Sequence, residues 1–415
     1  MADTTEPLNV SIVGAGIAGL AAATALRRNG HLVQIFESAE TKTEIGAAIV
    51  VPLNAQRVLE YLGYKKENLK SVDLSSMVTF NAAGEGRQSF ASPWIEIDGK
   101  VAVTCVRSDL HNELLRLATG SGEGPPAVLN FANEVVRCDP EEGSLTLTDG
   151  RVVQSDLILG ADGISSVIRT HVLGHVQKAL HSGLTNCRTL LDVAKLDAVP
   201  ELSWLREGTL GPRMVIPFGV ESDEYRWLFL YPCRSGELLN FIALLDDQDQ
   251  ANPDWHPSVT RETLLSQFAA FPSQVRKLLE MLPEELPRWQ IRYVPVLPTW
   301  VKGYAALLGD AAHATLPTLG QGAAQAVEDA GALGLLLPSS TKRAEIPERL
   351  EAYQQLRKGR VERISRESYD QMTVPKERGK FSRDLEFQEY VMGYDVLAAA
   401  REVSDCEFVT KKGLN

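Results

Sequence analysis

The feature that most constrains this chain is the run from Leu8 to Glu37. A short apolar stretch, Leu8 to Val13, reads as a strand. It enters Gly14-Ala15-Gly16-Ile17-Ala18-Gly19, and an Ala-rich helix follows from Ile17 to Asn29, with Gly30 placed to end it. A second apolar strand, Leu32 to Phe36, ends at Glu37. Two strands joined by a crossover helix pair in parallel, and such pairs are buried on both faces. In this turn Gly14 permits the tight bend, Gly16 lets backbone approach a pyrophosphate, and Gly19 lets helix pack closely on strand. The helix N-terminus then directs free N–H groups and its positive dipole end at phosphate. Glu37, about 20 residues on, stands where an acid hydrogen-bonds ribose hydroxyls. The competing reading, a glycine-rich helix start with no ligand, leaves the placement of the acid unexplained. The expected fold class is therefore α/β, with a Rossmann-type dinucleotide-binding domain.

The first motif does not separate NAD from FAD; two later ones do. Gly160-Ala161-Asp162-Gly163 follows the strand Val152 to Leu159. Gly309-Asp310-Ala311-Ala312-His313 follows the strand Tyr304 to Leu308, and Gly320-Gln321-Gly322-Ala323 opens the helix Gln321 to Leu336. Three signatures this far apart fit one long cofactor gripped at several points, which points to FAD. Asp310 is placed to bond a polyol chain, and a second helix N-terminus would stabilise negative charge on a reduced ring. The alternatives are Asp310 as a helix cap and His313 as a packed or surface histidine.

Between these motifs the pattern changes. Ser76 to Val101 alternates apolar and polar residues, as antiparallel strands do. His181 to Leu245 favours strands again, clearest at Met214–Phe218, Trp227–Tyr231 and Leu238–Leu244. Ser108 to Ala118 reads as a helix capped by Ser108, and Val135–Leu147 and Val152–Leu159 as strands about the Asp149-Gly150 turn. Asn54–Leu62, Leu264–Met281 and Arg349–Tyr369 read as helices, Asp246–Pro257 as a surface loop, and Leu333–Leu337 as a buried helix end. The expected organisation is discontinuous. Residues 1–75, 102–175 and 291–370 build the cofactor domain, 76–101 and 176–290 a β-sheet substrate domain, and 371–415 a C-terminal helical region anchored by Phe387, Tyr390 and Tyr394.

The combination resembles the class A flavoprotein monooxygenases, the aromatic hydroxylases, and within them a fungal salicylate-hydroxylase-like branch. The resemblance spans roughly Leu8 to Tyr369. It implies that Gly14, Gly16, Gly19 and Glu37 hold the ADP half of FAD. It implies further that Arg107, in Val106-Arg107-Ser108-Asp109-Leu110, lies near the flavin phosphates, and that Asp162 serves both FAD and NAD(P)H. Asp310 would bind the ribityl chain. Pro317, Gly320, Gly322 and Ala323 would lie beside the reactive ring, and Ala48 is a further cofactor-binding candidate. On the substrate side, Tyr231 in Tyr231-Pro232-Cys233-Arg234 and Arg188 on an earlier strand resemble a pair that holds a phenolate. Arg213 is the competing cation, and Glu221–Arg226 looks like an insertion between them.

The activity the resemblance implies is a monooxygenation. NADPH or NADH reduces FAD, O2 adds to it, and a flavin C4a-hydroperoxide passes one oxygen to a phenolic or aromatic-acid small molecule, by hydroxylation or oxidative dearomatisation. The rivals are a flavin dehydrogenase or reductase, an epoxidase acting on a non-aromatic secondary metabolite, and a flavoprotein that signals to partners without turnover. Trp289-Gln290-Ile291 does not supply a flavin halogenase motif. No nucleophile elbow or Cys/His pair stands out.

Composition narrows the partners. A net charge of -12 argues against nucleic acid. Five scattered cysteines without CxxC spacing fit a reducing, cytoplasmic setting, and no metal set is evident. The start has no signal-peptide pattern, and no apolar run is long enough to span a bilayer. The oligomeric state, monomer or dimer, is left open.

Overall fold

The computed structural model describes residues 6–41, 47–74, 76–81, 88–91, 96–205, 213–216, 225–247, 258–374, 377 and 384–409. At its centre is a six-stranded sheet in the order Val301–Lys302, Ala305–Leu307, Leu157–Gly160, Asn9–Val13, Leu32–Phe36 and Val128–Asn130. Every neighbouring pair is parallel except the first. All three glycine motifs leave this sheet at the carboxyl ends of its strands, where open α/β sheets bind ligands.

The first helix, Ile17–Arg28, is buried almost throughout. Its alanines let neighbours approach closely: a Cβ on Gly334 of the helix Gly322–Leu336 would come within 2.8 Å of the Ala25 Cβ. The Leu333–Leu337 stretch lies in this core, with Leu333, Leu336 and Leu337 fully buried.

The second large sheet has eight strands, in the order Ser258–Thr260, Glu285–Tyr293, Leu180–Asp192, Leu238–Asp246, Arg226–Cys233, Arg213–Ile216, Ser76–Asn81 and Gln88–Ala91. Its far face packs Cys187, Leu228, Leu230, Phe241, Ala243 and Leu245 against two short helices, Arg261–Gln267 and Ser273–Glu280.

Several local expectations need correction. Leu264–Met281 is two helices: the first ends at Gln267 and the second starts at Ser273, directly after Pro272. Val135–Leu147 is a hairpin of Val135–Asp139 and Ser144–Leu147, turning at Gly143 with φ +73°. Val152–Leu159 splits between two sheets: Val152–Gln154 completes that meander and Leu157–Gly160 joins the parallel core. Ser108 is not a cap. It lies inside the helix Arg107–Thr119, whose preceding residue, Val106, makes no side-chain cap. Most of the Asp246–Pro257 stretch and of the Glu221–Arg226 insertion lies outside the described residues.

The C-terminal helices Leu385–Met392 and Val396–Ser404 pack onto the cofactor-side helices: Val396, Leu397 and Ala400 join the main core, and Arg57 donates to the carbonyls of Met392 and Tyr394 at 3.0 Å. Among the described residues no helix is long and apolar enough to cross a membrane, and no cluster suits a metal ion.

Candidate active site

The Gly14–Gly19 turn is built by close backbone approach. Gly14 has φ +102°, and any side chain on it would collide with the Ala161 carbonyl; one on Gly19 would collide with the Gly14 carbonyl. Gly16 differs, since a Cβ there would meet nothing within 4 Å. The helix that begins beyond it has no side-chain cap and no acid in its first turn. Its N–H groups are left for a ligand, and the open space beside Gly16 suits an anion. Glu37 closes the mouth: its carboxylate accepts from the Ala15 N–H at 2.8 Å and the Ala39 N–H at 2.9 Å.

The middle motif abuts the first, with the Ala161 N–H donating to the Val13 carbonyl at 2.8 Å. Asp162 is committed inward. Its carboxylate accepts from Ser166 Oγ at 2.5 Å and from the N–H groups of Val167 and Ile168 at 2.7 and 3.1 Å, at the start of the helix Val167–Leu173. Burial raises its pKa against those hydrogen bonds.

At the third motif Gly309 adopts φ +58°, and a Cβ there would press on Ala18 at 2.8 Å and Ala326 at 3.3 Å. Asp310 opens the helix Asp310–His313, exposed, with no side-chain cap at that end, so the capping reading does not hold. His313 is neither on the surface nor idle. Its Nε2 lies 2.7 Å from Asp329 Oδ2, and the same oxygen accepts from the Gly309 N–H at 3.0 Å. Pro317 starts the turn Pro317–Leu319, Gly320 follows at φ +61°, and Ala323 is half-buried. A Cβ on Gly322 would meet nothing within 4 Å, and the helix Gly322–Leu336 also starts without a side-chain cap or an acid.

Behind these turns lies an ionic network that the sequence did not reveal. Arg357, on the long helix Ile346–Thr373, donates to Asp329 Oδ1 at 2.9 Å, to Glu328 and to Gln325 Oε1 at 2.7 Å. Arg360 donates to both Glu328 oxygens, and Asn54 Nδ2 donates to Glu328 Oε1 at 2.6 Å. Burial alone would raise the Asp329 pKa, but the His313 and Arg357 charges outweigh it and lower it to about 2. What could have signalled this network in the sequence is the Glu328-Asp329 pair on a largely apolar helix.

The substrate-side residues meet on the near face of the eight-stranded sheet. Register sets Arg188 opposite Ile242 and Ile242 opposite Phe229, and one step along sets Leu190 opposite Asn240 and Asn240 opposite Tyr231. Side chains alternate between faces, so all of these share one side. Phe229, Ile242, Leu244 and Arg188 are half-buried there, while Leu228, Leu230, Phe241, Ala243 and Leu245 behind them are fully covered. The half-exposed apolar residues in mid-sheet leave this face only partly covered by the rest of the protein.

Arg188 stacks on Trp289, with its guanidinium carbon 4.4 Å from the ring centroid. Its Nε is buried with no hydrogen-bond partner among the described residues. Burial lowers its pKa; Tyr231 and Arg107 lie within electrostatic reach and act in opposite senses. Arg107 is half-buried at the head of its helix, and its N–H donates to the Ala47 carbonyl at 2.7 Å. Tyr231 is buried, and its hydroxyl donates to the Ala48 carbonyl at 2.8 Å, so its one proton is already placed. Arg213 stands opposite Leu230 in register, and its side chain lies outside the described residues.

The two uncapped helix N-termini, the open faces of Gly16 and Gly322 and the acid at the strand end fit a dinucleotide cofactor. A family model described as an FAD binding domain matches residues 7–368. The chain belongs to that family. Hispidin-3-hydroxylase of Neonothopanus nambi is 41% identical over 420 residues, covering 97% of each chain. A salicylate hydroxylase of Pseudomonas putida is 31% identical over 376 residues, 86% of this chain and 83% of that one. A solved salicylate hydroxylase substrate complex superposes with a TM-score of 0.77 at 26% identity, covering 96% of this chain and 98% of the other. This member of the FAD binding family is an FAD-dependent monooxygenase. Burial pushes the Cys138, Cys187 and Cys233 thiols of this monooxygenase up to about 12, leaving them inert as nucleophiles.

Proposed function

We propose that this monooxygenase hydroxylates a phenolic or aromatic-acid small molecule bound as its anion in the cleft between the eight-stranded sheet and the cofactor, with NADPH or NADH as reductant. The observation that carries the proposal is Arg188, a largely covered cation held on Trp289 whose buried Nε is unused, on the face that Phe229, Ile242 and Leu244 share. An unpaired buried charge is costly, and an anionic ligand relieves it. Hydroxylases named for hispidin and for salicylate among the relatives support an oxygenated aromatic ligand.

In this reading Gly14, Gly16, Gly19 and Glu37 hold the adenosine and pyrophosphate half of FAD. Arg107 lies by its phosphates, Asp162 shapes the adjoining turn, and Asp310 faces the ribityl chain. Ala48, Pro317, Gly320, Gly322 and Ala323 line the ring. When bound, FAD takes electrons from the nicotinamide and delivers one atom of O2 to the substrate ring. Arg188 favours the deprotonated substrate, and the ionised oxygen feeds electron density to the ring carbon that is attacked. The apolar cluster of Tyr225, Trp227, Ile291, Leu316 and Met372 keeps water from the cleft.

Residues 1–75, 102–175 and 291–370 serve as the cofactor domain and 76–101 with 176–290 as the substrate domain, although the strand Glu285–Tyr293 continues past 290. A cytoplasmic setting accords with free thiols at all five cysteines.

The test is rapid-mixing absorbance of the holoenzyme with NADPH and NADH, alone and with salicylate, hispidin and a panel of phenols. Flavin reduction accelerated by an ionised aromatic, with oxygenated product formed, supports the reading. Equal reduction with every ligand and no oxygenated product rejects it.

A further inference from the structure

Tyr231 and Asn240 face each other across two adjacent strands and together hold both backbone polar groups of one residue, Ala48. Tyr231 Oη donates to the Ala48 carbonyl at 2.8 Å, and Asn240 Oδ1 accepts from the Ala48 N–H at 3.2 Å. Both side chains are buried, and the Asn240 Nδ2 has no partner among the described residues, so this amide sits there for the one bond its oxygen makes. That bond also fixes the amide's orientation, since only oxygen accepts from an N–H. Next along the chain, the Ala47 carbonyl takes the Arg107 N–H at 2.7 Å. Ala48 begins the strand Ala48–Val51, which pairs with Val103–Val106 immediately before Arg107. The substrate sheet and the Arg107 helix thus converge on the Ala47-Ala48 segment.

We infer that Tyr231 is a positioning residue acting with Asn240: the pair clamps Ala48 and so fixes the segment that faces the flavin ring, while Arg188 alone takes the substrate's anionic oxygen. The hydroxyl has a single proton, and it is spent on Ala48. Donation to a phenolate would require that bond to break. Burial raises the tyrosine's pKa further, keeping the proton in place at ordinary pH. The inference rests on the anion-site reading of Arg188, and its experiment separates the two.

Holoenzymes carrying Tyr231→Phe, Asn240→Leu and Arg188→Met are compared with wild type by three measurements. These are affinity for salicylate and hispidin from flavin absorbance changes, visible circular dichroism of the bound FAD, and amide hydrogen exchange over residues 47–51. Tyr231→Phe and Asn240→Leu are expected to raise exchange there about ten-fold, as when one buried hydrogen bond is lost. Both are expected to alter the flavin dichroism and to leave ligand affinity within about two-fold of wild type. Ligand affinity weakened about ten-fold or more in Tyr231→Phe, with unchanged exchange and dichroism, would place the tyrosine on the ligand and overturn the inference. Unchanged values in all three measurements for both variants would overturn it as well. Arg188→Met that binds ionised ligands like wild type rejects the anion-site reading, while the exchange and dichroism results still decide the clamp.

Discussion

The charges behind the flavin motifs and the charge on the substrate sheet are opposites. Arg357 and Arg360 are buried and saturated, facing Glu328 and Asp329 with hydrogen bonds from nearly every one of their donors. Arg188 is also largely buried, yet it has an aromatic face and no carboxylate among the described residues. A buried charge with all its partners fixes geometry; one that lacks a partner is poised for a ligand. The saturated network ties the Gly309 turn, through Asp329, to the long helix, so the cofactor side is rigid by construction. The cleft side keeps one cation in reserve, and its rigidity is delegated to hydrogen bonds such as those on Ala48.

The contrast can be broken most forcefully at Arg357. Arg357→Met leaves Glu328 and Asp329 without their shared cation, and the expected loss of stability is about 3–5 kcal/mol, read by denaturant unfolding of the apoprotein. A loss below that of an ordinary surface change would show that the network is not what holds the Gly309 turn.

Acid sharpens the same point. Asp329 has its pKa lowered from 3.8 to about 2, so the folded state binds its proton less readily than the unfolded chain. The stability it contributes is full above pH ~4 and is lost as pH falls from there toward ~2, by about 2 kcal/mol. Asp329→Asn should flatten the pH dependence of unfolding in that window, and an unchanged slope would assign the acid sensitivity elsewhere.

The glycines divide the same way. Gly19→Ala forces a methyl onto the Gly14 carbonyl and should destabilise the apoprotein by about 1–3 kcal/mol. Gly16→Ala, pointing into open space, should leave apoprotein stability unchanged and weaken FAD retention instead. Parallel thermal melts with and without FAD check both; equal effects on the apoprotein would deny Gly16 its place at the ligand.

Arg188→Met carries the smallest expected change. Removing an unpaired buried cation should leave the melting temperature level or slightly higher, while affinity for an ionised aromatic falls about ten-fold, ~1.4 kcal/mol. A clear drop in stability would mean that Arg188 is structural after all.

Much of this was legible before the structure. The Leu8–Glu37 unit appears with its second strand at the expected residues, and the three motifs converge at the carboxyl ends of neighbouring strands. Arg188 and Tyr231 came from the family resemblance, and strand register puts them on one face of the sheet. What was not legible was partnership. Asp162 turned inward to its own helix, and Tyr231 spent its proton on a carbonyl 183 residues away. His313 took Asp329 as its hydrogen-bond partner, and Arg357 and Arg360 were buried against Glu328 and Asp329.

The division has a physical cause. Sequence alone determined the parallel strand–helix–strand unit, the turns at Gly14, Gly309 and Gly320, and hence the FAD binding fold, because these follow from local backbone sterics, side-chain period and the distance a few residues can span. Only the tertiary structure decided which charges are satisfied and which is left over, and which hydroxyl is free to meet a ligand. Those depend on strand register and helix packing between segments far apart in the chain, where a shift of one residue turns a side chain from the cleft to the opposite core.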